Sequence, residues 1–290
     1  MNTNNRVNTK DGYKEKIGKH WYYFIRTKCA NCGITVFKSK KGLTSNHYKP
    51  FCGMPCKCEY EQKLKDPKGS SILNIKDTPN FYYLLGLLAT DGHIDYPRED
   101  SHATNSSCVI ELNEVDSDLI NSLRNFFGGY VYITFTKQKN KTPMLKWYLN
   151  NRKFIDFLRS IGFVHNKTHI LNLNDWFVGL EDKNKWHFMR GVWDGDGTFT
   201  IDKNKNCRVS VITASSIFAD MIFSFLADRG LAPFKHVRKN FKHNSTYSII
   251  GLGKKKSRID FIDMLYDNKQ EEMYLMRKYL KALEIKIQGG

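Results

Sequence analysis

Two stretches of the chain share a pattern whose residue types could do metal chemistry. Residues 81–95 (FYYLLGLLATDGHID) and 186–200 (WHFMRGVWDGDGTFT) align without a gap, and each is an apolar helical run that ends in an aspartate and a glycine. The alignment makes Asp91 and Asp196 equivalent, at helix C-termini where the backbone dipole is already negative. Two carboxylates brought together there need a cation, and Mg²⁺, a hard ion that takes oxygen ligands, fits that demand.

A second group of residues that could bind metal is a cluster of cysteines near the start of the chain. Five of the seven cysteines fall between residues 29 and 58, and two close pairs, Cys29 with Cys32 and Cys52 with Cys56, are separated by nineteen residues. Two thiolate pairs joined by a loop can hold one tetrahedral, structural Zn²⁺, whereas reduced cysteines without metal are the alternative. The other candidate ligands in this region are Cys58 and His47.

The composition indicates a folded protein that binds a polyanion. The 290 residues carry a net charge of +17, and a field of that sign attracts nucleic acid, although abundant lysine is also typical of AT-rich genomes. Hydrophobic residues make up 41% of the chain and can fill a core, but no apolar run is long enough to span a membrane. The polar start predicts a cytoplasmic protein of a bacterial or phage-infected cell, with an organelle matrix as the alternative.

The elements that must position these residues follow the same order twice. After a basic zinc-binding module and linker over residues 1–70, residues 71–180 and 181–290 each read as helix, hairpin, helix, hairpin, helix. In the first half a polar stretch up to residue 107 follows the aspartate helix, and a last helix near residues 270–285 closes the second half. Two αββαββα units predict an α+β fold built as a pseudo-dimer.

Both aspartate-containing stretches resemble the LAGLIDADG motif. From about residue 72 to its end, the chain resembles a monomeric, two-motif LAGLIDADG homing endonuclease, and residues 29–56 resemble a treble-clef or zinc-ribbon module. The resemblance implies a pseudo-twofold pair of αββαββα units whose antiparallel sheets bind DNA. The motif residues suit this arrangement, since Gly86 with Ala89 and Thr90, and Gly191 with Gly195, let two helices cross with their backbones nearly touching.

The resemblance also implies a function. It is that of a site-specific endonuclease, encoded by a mobile intron or another mobile element, that makes a double-strand cut in a long DNA target by Mg²⁺-dependent phosphodiester hydrolysis. The two halves share a plan but not their strand residues, which predicts an asymmetric target for a monomer. The alternatives are an RNA-binding maturase that acts on its host intron RNA and an inactive DNA-binding regulator on the same scaffold. Double-stranded DNA is the expected partner, and no membrane partner is expected.

The resemblance assigns roles to individual residues of the motifs. It implies that Asp91 and Asp196 are catalytic and bind two or more Mg²⁺ ions, with the backbone carbonyls of Thr90 and Gly195 as further ligands. Basic residues near the metals would stabilise the charge of the reacting phosphate. Lys167 resembles the family's lysine after the last helix of the first half, and Lys269 is the expected counterpart in the second half.

The motifs depart from the family pattern at two positions. The sixth position, usually acidic, is Asp194 in the second motif but Ala89 in the first, so neither receives a catalytic role. Arg190 occupies a position that is normally small, and its long side chain could lean toward the surface. Three histidines near the motifs are expected to be solvated loop residues, namely His93, His165 and His169.

DNA contacts are expected on the hairpins, because a two-stranded ribbon fits the major groove and alternate side chains on one face reach the base edges. In the first half the candidate residues are Lys137, Lys139, Lys141 and Lys146. In the second half they are Thr198, Thr200, Lys203, Lys205, Arg208, Lys235, Arg238, Lys239 and Lys242. Some of these side chains are expected to contact only phosphates, which positions the protein without specifying sequence.

Overall fold

The structure is a computed structural model that describes residues 6–9, 12–17, 20–29, 33–39, 69–95, 106–134, 143–240, 244–267 and 273–288. The chain divides into two compact units, Met1–Pro67 and Lys68–Gly290. The second unit combines helices with two four-stranded antiparallel sheets, which confirms the predicted mixture of helix and sheet. Within the described ranges, no helix is long and apolar enough to cross a membrane.

In the N-terminal unit, four strands form an antiparallel sheet in chain order. They are β1 Arg6–Thr9, β2 Gly12–Ile17, β3 His20–Lys28 and β4 Thr35–Ser39. Aromatic side chains from three strands contact each other. The ring of Tyr13 on β2 stacks on that of Phe24 on β3 with centroids 4.9 Å apart, and it lies 5.2 Å from the ring of Phe37 on β4. Such cross-strand pairs stabilise a small sheet by holding its strands in register.

Strand β3 ends directly before Cys29, the first predicted zinc ligand. Cys29 is buried, its backbone N–H donates to the carbonyl of Ile34, and the N–H of Gly33 donates to the carbonyl of Cys29. Gly33 has a φ of +76°, a left-handed conformation that only glycine adopts at little cost. Cys32, Cys52, Cys56, Cys58 and His47 lie outside the described residues. Zinc binding therefore stays a prediction.

The first half of the larger unit begins with a 3₁₀-helix, Gly69–Ile75, and then the first aspartate helix, α1 Pro79–Thr90. Strands β5 Gly92–Asp95 and β6 Ser107–Asn113, helix α2 Ser117–Phe127, strands β7 Tyr130–Thr134 and β8 Met144–Asn150, and helix α3 Arg152–Ser160 follow. The sheet order is β5-β6-β8-β7. The polar stretch expected after α1 instead begins with β5, whose buried Ile94 lies between exposed His93 and Asp95 and gives a short alternating pattern.

The second half repeats this order after a connection that the sequence did not predict. The connection contains a 3₁₀-helix, Lys167–His169, and a short helix, α4 Asn174–Val178. The second aspartate helix, α5 Asp182–Asp196, leads into β9 Gly197–Ile201, β10 Cys207–Thr213, α6 Ser216–Ala227, β11 Pro233–Asn240, β12 Ser245–Leu252, α7 Lys255–Tyr266 and α8 Met276–Gln288. Its sheet order, β9-β10-β12-β11, matches that of the first sheet position by position.

Helices α1 and α5 cross with their backbones in contact at two glycines. A Cβ atom on Gly86 would lie 2.0 Å from the carbonyl oxygen of Phe188, and one on Gly191 would lie 2.1 Å from that of Tyr83. Real Cβ atoms do not approach backbone oxygens so closely, so the crossing requires glycine on both helices. Large apolar neighbours pack each helix into the core, namely Leu84, Leu87, Leu88, Met189, Val192 and Trp193. The predicted role of small residues in this crossing is confirmed.

Candidate active site

The two motif aspartates lie at the C-terminal ends of the crossing helices. Asp91 is the capping residue that follows α1, and Asp196 is the last residue of α5. At this end of the crossing only a small residue fits next to α1, because a Cβ atom on Gly195 would lie 1.9 Å from Oγ1 of Thr90 and 3.3 Å from Oδ2 of Asp91. The glycine before Asp196 therefore lets the second carboxylate approach the first.

The environment of both aspartates disfavours their negative charge. Burial raises the pKa of Asp91 to about 6, with a further increase from the charge of Asp196, and the nearby cations Lys278 and Lys167 offset only part of it. Burial likewise raises the pKa of Asp196 above its usual range, against the same two lysines. Two carboxylates with uncompensated charge are the donor set that suits a hard divalent cation, so the residues present fit Mg²⁺.

Two lysines approach the aspartates from equivalent directions, one in each half. Nζ of Lys167 donates to the carbonyl of Thr90 at 2.9 Å, and Nζ of Lys278 donates to the carbonyl of Gly195 at 2.5 Å and to that of Trp193 at 3.0 Å. In each half the accepting carbonyl belongs to the residue just before the aspartate. Each ammonium group therefore lies at the negative end of a helix dipole and next to a carboxylate.

Burial lowers the pKa of both lysines, and the charges of Asp91 and Asp196 oppose this shift in each case. Lys167 was predicted from the resemblance, whereas Lys278 was not, and Lys269 lies outside the described residues. Lys278 belongs to the last helix and has no local sequence pattern that separates it from its neighbours. Only the equivalence of the two helix ends identifies it.

The carbonyls of Thr90 and Gly195, predicted as metal ligands, accept hydrogen bonds from these lysines. A carbonyl oxygen has a second lone pair, so the bonds do not remove its capacity to bind a cation. Metal ligation by Thr90 and Gly195 stays a prediction.

Asp194 anchors the helix that carries Lys278. Its side chain is 1% exposed and accepts hydrogen bonds from the Tyr83 hydroxyl at 2.9 Å, the Tyr266 hydroxyl at 3.2 Å and the backbone N–H of Leu275 at 2.7 Å. Leu275 immediately precedes α8, so the carboxylate binds an N–H at the positive end of that helix. Burial raises the pKa of Asp194 to about 6, while the N–H of Leu275 and the charge of Lys278 oppose the shift. The acidic sixth motif position thus has a positioning role here.

Arg190 is buried, contrary to the expectation that its side chain leans toward the surface. It is 1% exposed, and its guanidinium donates to the carbonyls of Met273 at 3.1 Å and Leu265 at 3.3 Å. The guanidinium also lies 5.8 Å from the centroid of the Tyr83 ring. Arginine replaces the usual small residue because the carbonyls around the end of α7 and the start of α8 provide acceptors for its donors. The two halves are therefore packed differently around their motif helices.

The strand register shows which residues share the exposed face of the second sheet. Thr200 pairs with Arg208 across β9 and β10, and Arg238 pairs with Tyr247 across β11 and β12. Cross-strand partners lie on the same face, and the alternation along each strand puts Thr198 there too. Because β10 also pairs with β12, Arg208, Arg238, Thr198 and Thr200 share one face of the second sheet.

Other predicted DNA contacts lie elsewhere. Lys235 and Lys239 alternate with Arg238 and belong to the opposite face of β11, where Lys235 pairs with Asp220 of α6. In the first sheet, Lys146 pairs with Glu111 at 3.1 Å, which neutralises part of its charge. Lys203 and Lys205 are exposed in the turn between β9 and β10. Lys137, Lys139, Lys141 and Lys242 lie outside the described residues.

Comparisons with known proteins find similarity only among solved structures, and at a low level. No protein-family profile matches the sequence, and no curated protein matches it either. Among solved structures, the chain is similar to I-DmoI in complex with DNA and Ca, with 14% identity, a TM-score of 0.46, and coverage of 75% of this chain and 98% of that chain. It is also similar to the meganuclease I-SmaMI bound to uncleaveable DNA, with 12% identity, a TM-score of 0.45, and coverage of 73% and 88%. Matches at this level carry no functional conclusion, which has to come from the residues of this chain.

Proposed function

We propose that the chain is a Mg²⁺-dependent, site-specific DNA endonuclease of the homing type, which cuts both strands of a long, asymmetric target. The observation that carries the proposal is the pair of aspartates at the ends of two helices in backbone contact, each with a half-buried lysine on the preceding carbonyl. Carboxylates that share a site and two cations beside them match what phosphodiester hydrolysis requires.

In this proposal, the carboxylates of Asp91 and Asp196 would hold the Mg²⁺ ions. When bound there, Mg²⁺ supplies activation of a water molecule and neutralisation of charge on the scissile phosphate. Lys167 and Lys278 hold positive charge beside the carboxylates and stabilise the additional negative charge that develops on the phosphate. Asp194 keeps Lys278 in position by anchoring the start of α8.

The two sheets are proposed to bind the two halves of the DNA target. Thr198, Thr200, Arg208 and Arg238 share one face of the second sheet, which suits contacts to base edges and phosphates. The first sheet presents a different surface, on which Lys146 is paired with Glu111 and lies beside Tyr132. Two halves with the same strand order but different side chains support a pseudo-twofold monomer with an asymmetric target.

The N-terminal residues 1–70 are proposed to form a basic module around one structural Zn²⁺ that adds DNA contacts, with residues 71–180 and 181–290 as the two halves of the nuclease. The buried Cys29 and the left-handed Gly33 support the zinc site, because a thiolate pair on a tight turn is one edge of a zinc tetrahedron. An origin in a mobile intron or another mobile element also belongs to this proposal.

The proposal is tested with purified full-length protein and a library of DNA fragments, with Mg²⁺ in one arm and EDTA in the other. Newly formed ends are captured and sequenced. We expect Mg²⁺-dependent double-strand cuts at one long sequence without twofold symmetry. Binding to DNA or to intron RNA without any Mg²⁺-dependent cut would instead indicate an inactive regulator or an RNA-binding maturase.

We expect Lys278→Met to lower the single-turnover cleavage rate by roughly 10², since it removes one charge that stabilises the reacting phosphate. Lys167→Met is expected to have a similar effect, because the two ammonium groups are equivalently placed. Lys281→Met is the matched control, since Lys281 lies on the same helix, is exposed and pairs with Glu284. A Lys278→Met protein that cuts as fast as the Lys281→Met protein would exclude this role for Lys278.

A further inference from the structure

Two histidines and an aspartate form a cluster at the edge of the first sheet. Nε2 of His93 lies 2.8 Å from Oδ1 of Asp95, and Nδ1 of His165 lies 3.8 Å from the same oxygen. One ligand atom from each residue lies within 4.8 Å of the other two. The ring centroids of His93 and His165 are 5.4 Å apart, and the ring planes are inclined at 63° to each other. The sequence suggested three isolated loop histidines, but the fold brings two of them together on one carboxylate.

The cluster is held by backbone geometry rather than by a chance approach of flexible side chains. His93 and Asp95 alternate with buried Ile94 along β5, so both point to the same face of the strand. His165 comes from the segment after α3, where Asn166 has a left-handed φ of 54°. The N–H at Nδ1 of His165 donates to the carbonyl of Ile94 at 3.1 Å, which ties the segment to β5 between the other two members and leaves Nε2 of His165 as the nitrogen that can bind a metal.

The chemistry of the three groups selects a class of metal. Imidazole nitrogen suits Zn²⁺, Co²⁺ and Ni²⁺, whereas Mg²⁺ takes oxygen ligands almost exclusively. Tetrahedral ligands about 2.1 Å from a zinc ion are about 3.4 Å apart, which lies within the range of separations in this cluster. The side chains of His93, Asp95 and His165 are 49%, 53% and 39% exposed, so a metal ion can enter and take water at its remaining position.

We infer that His93, Asp95 and His165 form a binding site for a transition-metal ion of the Zn²⁺ and Co²⁺ class, separate from the Mg²⁺ ligands Asp91 and Asp196. The equivalent positions after the second motif are Thr198 and Thr200, which lack imidazole and carboxylate groups. The site therefore exists in the first half alone, whereas each half contributes one aspartate to the pair Asp91 and Asp196.

A bound ion would act on the segment that also carries Lys167. This lysine is two residues after His165, and its Nζ donates to the carbonyl of Thr90, the last residue of α1. A metal bridge between His165 and β5 would restrain that segment, as a crosslink does, and hold Lys167 on the helix end. The inference concerns metal binding itself and does not depend on the proposed nuclease activity.

The test is a titration of the full-length protein with Co²⁺ in the presence of excess Mg²⁺, in which visible absorption is measured after each addition. Cobalt bound to cysteine adds a thiolate charge-transfer band in the near ultraviolet, so binding at the N-terminal cysteines is distinguished from binding to nitrogen and oxygen ligands. In addition to any cobalt that the cysteines bind, we expect one equivalent of Co²⁺ that shows d–d absorption without a thiolate band, and we expect Zn²⁺ to displace it.

Variants of the three cluster residues test whether the bound Co²⁺ occupies this site. Each of the variants His93→Gln, His165→Gln and Asp95→Asn is expected to lower the affinity for this Co²⁺ ion by at least about 100-fold. Even groups that only support a metal ligand contribute about 10–100-fold to metal affinity. His169→Gln is the matched control, because His169 is exposed and close in sequence to His165 but outside the cluster. The inference would be overturned by a cluster variant that still binds this Co²⁺ ion with wild-type affinity. It would also be overturned by a wild-type protein that shows only thiolate-bound cobalt.

Discussion

Asp91→Asn and Asp196→Asn are each expected to abolish DNA cleavage, lowering the single-turnover rate by at least about 10³. Each variant removes a carboxylate from the metal site, and metal stabilisation of the reacting phosphate contributes several kcal/mol, with a factor of ten in rate for about 1.4 kcal/mol. Binding of the target DNA in Ca²⁺ or EDTA is expected to persist, because the sheet residues that are proposed to contact DNA are unchanged. The measurement is cleavage of the selected target under single-turnover conditions, alongside a binding assay.

A stability measurement separates this catalytic role from a structural one. In the fold, burial raises the pKa of both aspartates, and that of Asp91 is raised further by Asp196. Asparagine has no charge to bury or repel, so neither variant is expected to lower the free energy of unfolding in EDTA. Asp118→Asn, at an exposed carboxylate of α2, is the control and is expected to cut normally. Full double-strand cleavage by either site variant would contradict the assignment.

Gly191→Ala is expected to destabilise the larger unit by roughly 3 kcal/mol or more, at the upper end of the cost of overpacking a core. The added Cβ atom would lie 2.1 Å from the carbonyl oxygen of Tyr83 and 2.7 Å from the backbone nitrogen of Leu87. Backbone atoms of a helix cannot rotate away as a side chain can, so the two helices have to separate. The carboxylates at their ends would move with them, and cleavage would fall together with stability.

The stability of Gly191→Ala is measured by urea denaturation of the full-length protein. Gly86→Ala is expected to act in the same way, because its Cβ atom would lie 2.0 Å from the carbonyl oxygen of Phe188. Gly179→Ala is the matched control, since the nearest atom to its Cβ would be 3.6 Å away, an ordinary contact distance. Equal midpoints for Gly191→Ala and Gly179→Ala would show that the backbones are not in contact.

The two glycine-containing helices and their aspartates were predictable because they are local patterns. Residues 81–95 and 186–200 each combine a helical apolar run with small residues at helical spacing. Small residues on one face of an apolar helix favour close packing against a second helix. The order of strands and helices around them was also largely predictable, because the alternation of apolar and polar residues and the residues of turns are patterns that span only a few positions. The short strand Gly92–Asp95 was missed because four residues give too little alternation to recognise.

The sequence by itself therefore determined two equivalent carboxylates on two helices that pack through glycine, and a strongly basic chain around them. Only the tertiary structure decided which residues meet those carboxylates. Lys278 reaches Gly195, and Asp194 anchors Leu275, through contacts between residues about eighty positions apart. The register of the sheet likewise decided that Arg238 of β11 lies on the same face as Thr200 and Arg208 of β9 and β10. Such contacts depend on how whole elements pack, and no local pattern of side chains encodes them.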